Sequence, residues 1–221
     1  MTLKLYFSPG ACSFVPHCML ELSGASFETH MIKLHKGEHR TPEFRAINPE
    51  GQVPVLVDGE RVLTQIVAIT LYLDSLSPNA HLLPVDPYER ARAMQTLSWM
   101  NNTVHPTFTH VFRPNNYSPD RAVQADIKAH ATLRYQQHLQ TLDTLVAEQI
   151  SLGRPWLAGD HAGPLDAYAL TLCRWGTIAE LEPTQFPSLW AHVQKTAAHT
   201  DIARAISTER LVLNTLEAKK P

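Results

Sequence analysis

A cysteine followed by a serine, Cys12-Ser13, lies where a predicted strand gives way to a predicted helix. Residues 3–7 alternate apolar and polar side chains, Pro9-Gly10 predicts a turn, and residues 13–24 have helical spacing. Unpaired N–H groups at the start of a helix favour negative charge, and they lower the pKa of a thiol from its usual value of about 8.5. This segment therefore predicts a site that holds a thiolate, either that of Cys12 or that of a thiol ligand.

The composition is that of an ordinary globular protein with a sizeable core. The chain has 221 residues, of which 44% are hydrophobic and 18% charged, and its formal net charge is −2. This length allows one large domain or two modest ones. Because the chain shows no basic stripe, no apolar run of about 18 residues and no signal-peptide pattern, we expect a cytoplasmic protein that binds neither nucleic acid nor a membrane.

The cysteines and histidines argue against disulfides and metals. The three cysteines form no CxxC pair, which favours free thiols, and Cys18 and Cys173 fall in helical patterns where we expect them to be buried. The twelve histidines include no HExxH spacing and no cluster with cysteine. We therefore expect no metal cofactor.

The pattern of elements divides the chain into two parts. Strands are predicted at 3–7, 27–34, 53–57 and 61–63, with an Asp58-Gly59 hairpin turn and a third helix from Ile66 to Leu76. Prolines at 78, 84 and 87 predict a linker. Helices are then predicted at 87–114, 119–150, 164–178, 187–198 and 200–215. We expect an α/β domain at 1–78, a linker at 79–87 and an all-helical domain at 88–221 that contains the acceptor-substrate pocket.

Four stretches carry a family resemblance, and they occur in the order typical of that family. They are Ser8-Pro9-Gly10-Ala11-Cys12-Ser13, Asn48-Pro49-Glu50-Gly51-Gln52-Val53-Pro54-Val55-Leu56, Leu63-Thr64-Gln65-Ile66-Val67-Ala68-Ile69, and Trp156-Leu157-Ala158-Gly159-Asp160 with Asp166-Ala167-Tyr168 further on. The chain resembles the cytosolic glutathione transferases, and among them the bacterial beta class. The resemblance implies a thioredoxin-like N-terminal domain, an all-α C-terminal domain, glutathione as co-substrate and a homodimer.

The resemblance also implies roles for the residues of the opening helix. The cysteine that matches Cys12 can form a mixed disulfide with glutathione in beta-class relatives, and Ser13 is placed to donate its hydroxyl to the glutathione sulfur. The alternatives are an inert packed thiol for Cys12 and a helix N-cap for Ser13. A tyrosine mechanism is disfavoured because Phe7 stands where beta-class chains often carry a second tyrosine after Tyr6.

Glutathione itself is expected along a proline corner. Gln52-Val53-Pro54 resembles the cis-proline segment whose backbone pairs with the cysteinyl part of glutathione. Gln65 and Ile66 match the residues that hold the γ-glutamyl end at a helix N-terminus, although Ile66 lacks the usual hydroxyl. Lys36 falls near the basic residue for the glycyl carboxylate, and its alternative is a solvated loop lysine.

The helical domain is expected to supply a histidine and a hydrophobic wall. His105 matches a beta-class histidine that faces the site and hydrogen-bonds glutathione or the reacting thiol, whereas the following Pro106 replaces a usual lysine and predicts a kink. Aromatic side chains of this domain are candidates for an acceptor pocket, with plain core packing as the alternative; they are Phe108, Phe112, Tyr117 and Trp175. Asp166 is interpreted as a structural helix cap.

The leading hypothesis is a glutathione transferase that conjugates glutathione to electrophilic small molecules, a detoxification reaction. A glutathione-dependent thiol-disulfide reductase or an isomerase on the same fold is the second hypothesis, because Cys12 makes redox chemistry plausible. A non-catalytic member that binds a protein partner is the third, and the departures at Ile66 and Pro106 favour it.

Overall fold

A computed structural model describes residues 2–219. Its first part is a four-stranded sheet of β1 (Leu3–Phe7), β2 (Phe27–Met31), β3 (Val55–Asp58) and β4 (Arg61–Thr64) in the order β2-β1-β3-β4. β1 runs parallel to β2 and antiparallel to β3, and β3 and β4 form a hairpin. The parallel pair needs a crossover, which α1 (Phe14–Ser23) provides. Two further helices complete this part, α2 (Pro42–Ile47) and α3 (Ile66–Leu76).

The opening helix α1 lies between the two parts of the molecule, and residues 14–20 are all buried. Met19 and Leu20 pack with the inward-facing side chains of β1, such as Leu5 and Phe7. Phe14, with Val15 and Cys18, packs instead into the core of the helical part. Helix α1 thus has hydrophobic neighbours on two sides, and this explains why the apolar run after Cys12 is long.

The second part is helical. It consists of α4 (Pro87–Trp99), α5 (His105–Phe112), α6 (Arg121–Ser151), α7 (Pro164–Ile178), α8 (Pro187–Ala198) and α9 (Thr200–Glu209). Its core is centred on α7, of whose fifteen residues all but Arg174 and Ile178 are buried. Asp166 has the predicted structural role, because its carboxylate accepts the N–H groups of Gly163 at 2.8 Å and Leu157 at 3.0 Å.

The predicted helix 87–114 is divided by a π-helical turn at Met100–Val104. Pro106 has no N–H to donate to the carbonyl four residues earlier, so an α-helix cannot run through this point without losing a bond. The π-helical turn accommodates the break, and the N–H of His105 donates to the carbonyl of Met100, five residues earlier. The expected distortion thus lies just before Pro106 and determines the direction of His105.

Two predicted elements are shorter in the structure. β2 ends at Met31 rather than at residue 34, because a 3₁₀ turn begins at Leu34. α9 ends at Glu209 rather than at residue 215, because Arg210 adopts a left-handed conformation with φ 53°. Within residues 2–219, each helix is too short or too polar to cross a membrane.

Candidate active site

A cleft of about 580 Å³ lies between the sheet part and the helical part. The sheet part lines it with Ser8–Cys12, with the 48–54 segment, and with the start of α3. The helical part lines it with α5 and α7, including His105 and Trp175. Three of the four stretches that carry the family resemblance, at 8–13, 48–56 and 63–69, therefore meet at one cavity.

The loop before Cys12 is held by the helical part. Gly10 turns the chain with φ 68°, a conformation that favours glycine, and a Cβ at this position would lie 2.6 Å from the Arg174 guanidinium. The Gly10 N–H donates to Glu209 of α9 at 2.8 Å, and its carbonyl accepts the Trp175 indole N–H at 2.9 Å. We call these two bonds the Gly10 clasp, and they position the cysteine at the floor of the cleft.

Cys12 is half-buried, and its thiol donates a hydrogen bond to the Val53 carbonyl at 3.6 Å. The backbone N–H groups of Cys12 and Ser13 lower the pKa of this thiol, in the direction that the sequence predicts. Burial and the negative charge of Glu209 act the other way, and burial dominates, so the pKa of Cys12 is raised to about 12. The net shift is therefore opposite in direction to the lowering of the Cys12 pKa that the helix N-terminus alone predicts.

Ser13 is fully buried and does not line the cleft. Its hydroxyl accepts the N–H of Ser8 at 3.1 Å and donates to the Ser8 carbonyl at 3.3 Å. These bonds close the loop around Gly10. The structure thus gives Ser13 a role in holding the loop, and its side chain lies outside the cleft lining.

The Val53-Pro54 peptide bond is cis, as the resemblance implies. Val53 is half-buried and lines the cleft beside Cys12, and Pro54 is buried. Gln52 is exposed, and its carbonyl accepts the Asn48 side-chain amide at 2.8 Å, which fixes the loop before the proline. An extended peptide can therefore lie against this segment.

Gln65 lines the cleft and has φ 69° and ψ 125°, an uncommon conformation for a residue other than glycine. It precedes α3, whose first N–H groups have no partner inside the helix and favour an anion. Ile66 is 2% exposed, so its side chain packs into the core while its backbone borders the cleft. Lys36 is exposed and does not line the cleft, whereas its neighbours His35 and His39 do.

His105 lines the opposite side of the cleft, and its hydrogen bonds define which ring nitrogen carries the proton. Asn102 accepts the Asn101 side-chain amide at 2.8 Å, so the Asn101 oxygen faces the Tyr168 hydroxyl at 3.3 Å. An amide oxygen can only accept, so Tyr168 donates its proton to Asn101. With the amides in this orientation, the 2.8 Å contact between Tyr168 and His105 Nδ1 assigns the proton to Nδ1 and the lone pair to Nε2.

Burial sets the charge of this histidine. It lowers the pKa of His105 to about 4, so the ring is neutral at physiological pH. Burial also raises the pKa of Tyr168, which keeps the phenol as a hydrogen-bond donor. The site thus presents a neutral imidazole whose Nε2 can accept a proton or a hydrogen bond.

Three aromatic rings form a wall next to His105. Phe108 stacks on Trp175 with ring centroids 4.7 Å apart and on Phe112 with centroids 5.6 Å apart. All three line the cleft, as expected for an acceptor pocket. Tyr117 does not: it is exposed, stacks on His110 with centroids 3.9 Å apart, and lies outside the cleft lining.

Arg113 is a cleft residue that the sequence interpretation missed. The signal was present, because residues 105, 108, 109, 112 and 113 fall at i, i+3, i+4, i+7 and i+8, which is one face of a helix. All five line the cleft. By contrast, within residues 2–219 no group of three or more His, Cys, Asp or Glu side chains is arranged to hold a metal ion.

Comparison with known proteins identifies the family. A family model described as "Glutathione S-transferase, N-terminal domain" matches residues 1–75. Glutathione S-transferase GstA of Escherichia coli O157:H7 is 30% identical over 212 residues, which are 95% of this chain and 100% of the relative. The chain belongs to the glutathione S-transferase family. It is therefore an enzyme of the transferase class with a thioredoxin-like N-terminal domain.

Solved structures of transferases match the same architecture. A sphingomonad glutathione S-transferase complexed with glutathione has a TM-score of 0.79 and 30% identity, and it covers 95% of this chain and 100% of its own. The bacterial beta-class transferase of Sphingomonas chungbukensis has a TM-score of 0.80 at 30% identity with the same coverage. The cleft of this transferase therefore belongs to a fold in which a glutathione complex is known.

Proposed function

We propose that this transferase binds glutathione in the cleft and conjugates it, through its sulfur, to electrophilic small molecules. The observation that carries the proposal is the meeting of Cys12, the cis Val53-Pro54 segment and the start of α3 in a cavity of about 580 Å³. In this arrangement the cysteinyl backbone lies along Val53, and the γ-glutamyl carboxylate meets the N–H groups at the start of α3. The sphingomonad relative complexed with glutathione supports this assignment.

The raised pKa of Cys12 defines its part in the reaction. A thiol with a pKa of about 12 is protonated at neutral pH, so it donates a hydrogen bond instead of acting as the nucleophile. The Cys12 S–H can donate to the sulfur of bound glutathione, beside the backbone N–H groups at the start of α1. Together these donors stabilise the glutathione thiolate, which is the attacking species.

His105 accepts a hydrogen bond from the thiol of glutathione. It lines the cleft, and with the Nδ1 proton directed to Tyr168 its Nε2 lone pair is the acceptor. In the conjugation step the thiolate attacks an electrophilic carbon, a carbon–sulfur bond forms and the leaving group departs with its electron pair. The thiol proton is released to solvent, because an imidazole whose pKa is lowered to about 4 does not retain it at neutral pH.

A thiol-disulfide reductase is the second enzymatic hypothesis, and the position of Cys12 in the cleft is its support. That chemistry needs the Cys12 thiolate to attack a disulfide, and the raised pKa makes this thiolate scarce at neutral pH. We therefore rank conjugation first.

Calorimetric titration with glutathione and a conjugation assay with 1-chloro-2,4-dinitrobenzene test the proposal. We expect binding in the micromolar to millimolar range and measurable conjugation. Cys12→Ala should lower conjugation by about tenfold without abolishing it, since one hydrogen-bond donor to the thiolate is lost. Cys173→Ala, a buried cysteine in α7, is the matched control and should keep wild-type activity. Absence of glutathione binding up to millimolar concentrations would refute the proposal.

We also propose that the transferase is a beta-class homodimer. The similarity to the beta-class enzyme of Sphingomonas chungbukensis supports the class, and the family resemblance supports the dimer. Size-exclusion chromatography with light scattering tests the oligomeric state. A mass near twice 24.8 kDa is expected, and a monomer at micromolar concentration would contradict this expectation.

A further inference from the structure

Arg113 is a cation that lines the cleft without a partner. It caps the C-terminal end of α5, is half-buried, and makes no side-chain hydrogen bond or ion pair with any residue in the 2–219 range. The guanidinium lies 5.7 Å from the centroid of the Phe112 ring, which supports the flat face of the group. A partly desolvated guanidinium with its donors free is an unfilled site for an anion.

His39 faces the same space from the sheet part. It lines the cleft, and its Nδ1 is buried with no hydrogen-bond partner among the described residues. Arg113 lies near enough that its positive charge contributes to lowering the pKa of His39, after burial and Arg40. Two polar side chains with unused donors or acceptors thus line the same cleft from the two parts of the molecule.

Arginine side chains outnumber carboxylates in the described lining of the cleft. Its cationic or imidazole side chains are Arg113, Arg174, His35, His39 and His105, whereas Glu50 is the one carboxylate among the described residues that line it. Arg174 is already engaged, because its Nε donates to the Val212 carbonyl at 2.9 Å. Arg113 is therefore the arginine in this cleft that is free to bind a ligand.

We propose that Arg113 and His39 form a carboxylate-binding subsite at the cleft, with Arg113 as the residue that selects a carboxylate-bearing ligand. The planar guanidinium offers two parallel N–H groups that match the two oxygens of a carboxylate. The carboxylate has two possible sources: an acidic aromatic acceptor stacked on the Phe108 wall, or the glycyl end of glutathione. This inference rests on the proposed function, and it explains how a carboxylate is held although Lys36 lies outside the cleft lining.

The test compares charged ligands with uncharged analogues of the same shape. Conjugation is measured with 4-chloro-3-nitrobenzoate against 4-chloro-3-nitrobenzamide, and with glutathione against its glycyl ethyl ester. Direct binding of 4-nitrobenzoate and 4-nitrobenzamide is followed by quenching of tryptophan fluorescence, which needs no glutathione. The variants are Arg113→Met and Arg113→Lys, and the control is Arg92→Met, which removes the same charge from an exposed position of α4 outside the cleft lining.

Arg113→Met should reduce the preference for the acid over its uncharged analogue by about tenfold or more, in the acceptor pair or in the glutathione pair. The pair that responds identifies the source of the carboxylate. Arg113→Lys should restore part of the preference, and Arg92→Met should leave it within about twofold. The proposal is overturned when Arg113→Met changes acid and analogue equally in both pairs and in direct binding. If the protein does not bind glutathione but its preference for the benzoate still depends on Arg113, the proposed function is refuted and the carboxylate subsite is supported.

Discussion

Because His105 is neutral in the folded protein, we expect its burial to lower the stability of the protein in mild acid. One substitution at this position should remove that contribution. In the folded protein its pKa is lowered from 6.5 to about 4, so the folded state binds the proton less readily than the unfolded state does. Between these two values the unfolded chain carries the extra proton, and the free energy of unfolding falls as the pH is lowered. From the two pKa values, His105 lowers the free energy of unfolding by about 2 kcal/mol at pH 5 relative to pH 8.

His105→Gln tests this reasoning because glutamine keeps an N–H donor for Tyr168 and cannot take up a proton. The free energy of unfolding is measured by urea denaturation of both proteins at pH 8 and pH 5, at one protein concentration. Groups other than His105 contribute equally to the two proteins and cancel in the comparison. We expect the wild type to lose about 2 kcal/mol more than the variant. An equal loss in both proteins would show that His105 is not buried as a neutral base.

Three further predictions concern the same site. Alkylation of Cys12 by iodoacetamide, followed by mass spectrometry, should still accelerate from pH 9 to pH 10, because its pKa is about 12; a plateau below pH 9 would contradict this value. Tyr168→Phe should lower kcat/KM by about tenfold, since the Nδ1 proton of His105 loses its acceptor and the other tautomer becomes accessible; an unchanged pH profile and rate would argue against the assigned tautomer. Glu209→Gln keeps a hydrogen-bond acceptor for the Gly10 N–H but removes the negative charge that raises the pKa of Cys12. Cys12 should therefore be alkylated faster at pH 8 in this variant, and a slower reaction would show that Glu209 does not raise the pKa of Cys12.

The sequence predicts the local geometry of the site better than its electrostatics. The strand, turn and helix around Cys12 follow from alternation, Pro9-Gly10 and an apolar run, and all three are present. The cis bond before Pro54 follows from the resemblance alone, since an ordinary X–Pro bond is trans in most proteins. The charge state of Cys12 depends on burial and on Glu209, which is about two hundred residues away in sequence, so no local pattern could reveal it.

Side-chain direction explains the other differences between the expected and the observed site. Ser13 and Lys36 lie in the right segments, but the Ser13 hydroxyl is bound to Ser8, Lys36 is exposed to solvent, and neither lines the cleft. Tyr117 follows the end of α5, where helical periodicity no longer applies. Arg113 continues the spacing of the cleft-lining face of α5 by one residue beyond Phe112, but an arginine just past a helix end is usually solvated, so its sequence position alone does not mark it as a cleft residue.

The Gly10 clasp joins two segments that are far apart in the sequence. One of the two groups that hold Gly10 belongs to Glu209, 199 residues further along the chain. Because α9 packs against α1, the cysteine loop is fixed by a contact of large sequence separation, and forming such a contact carries a loop-closure cost in entropy. A substitution that loosens α9 should therefore also loosen the segment that carries Cys12.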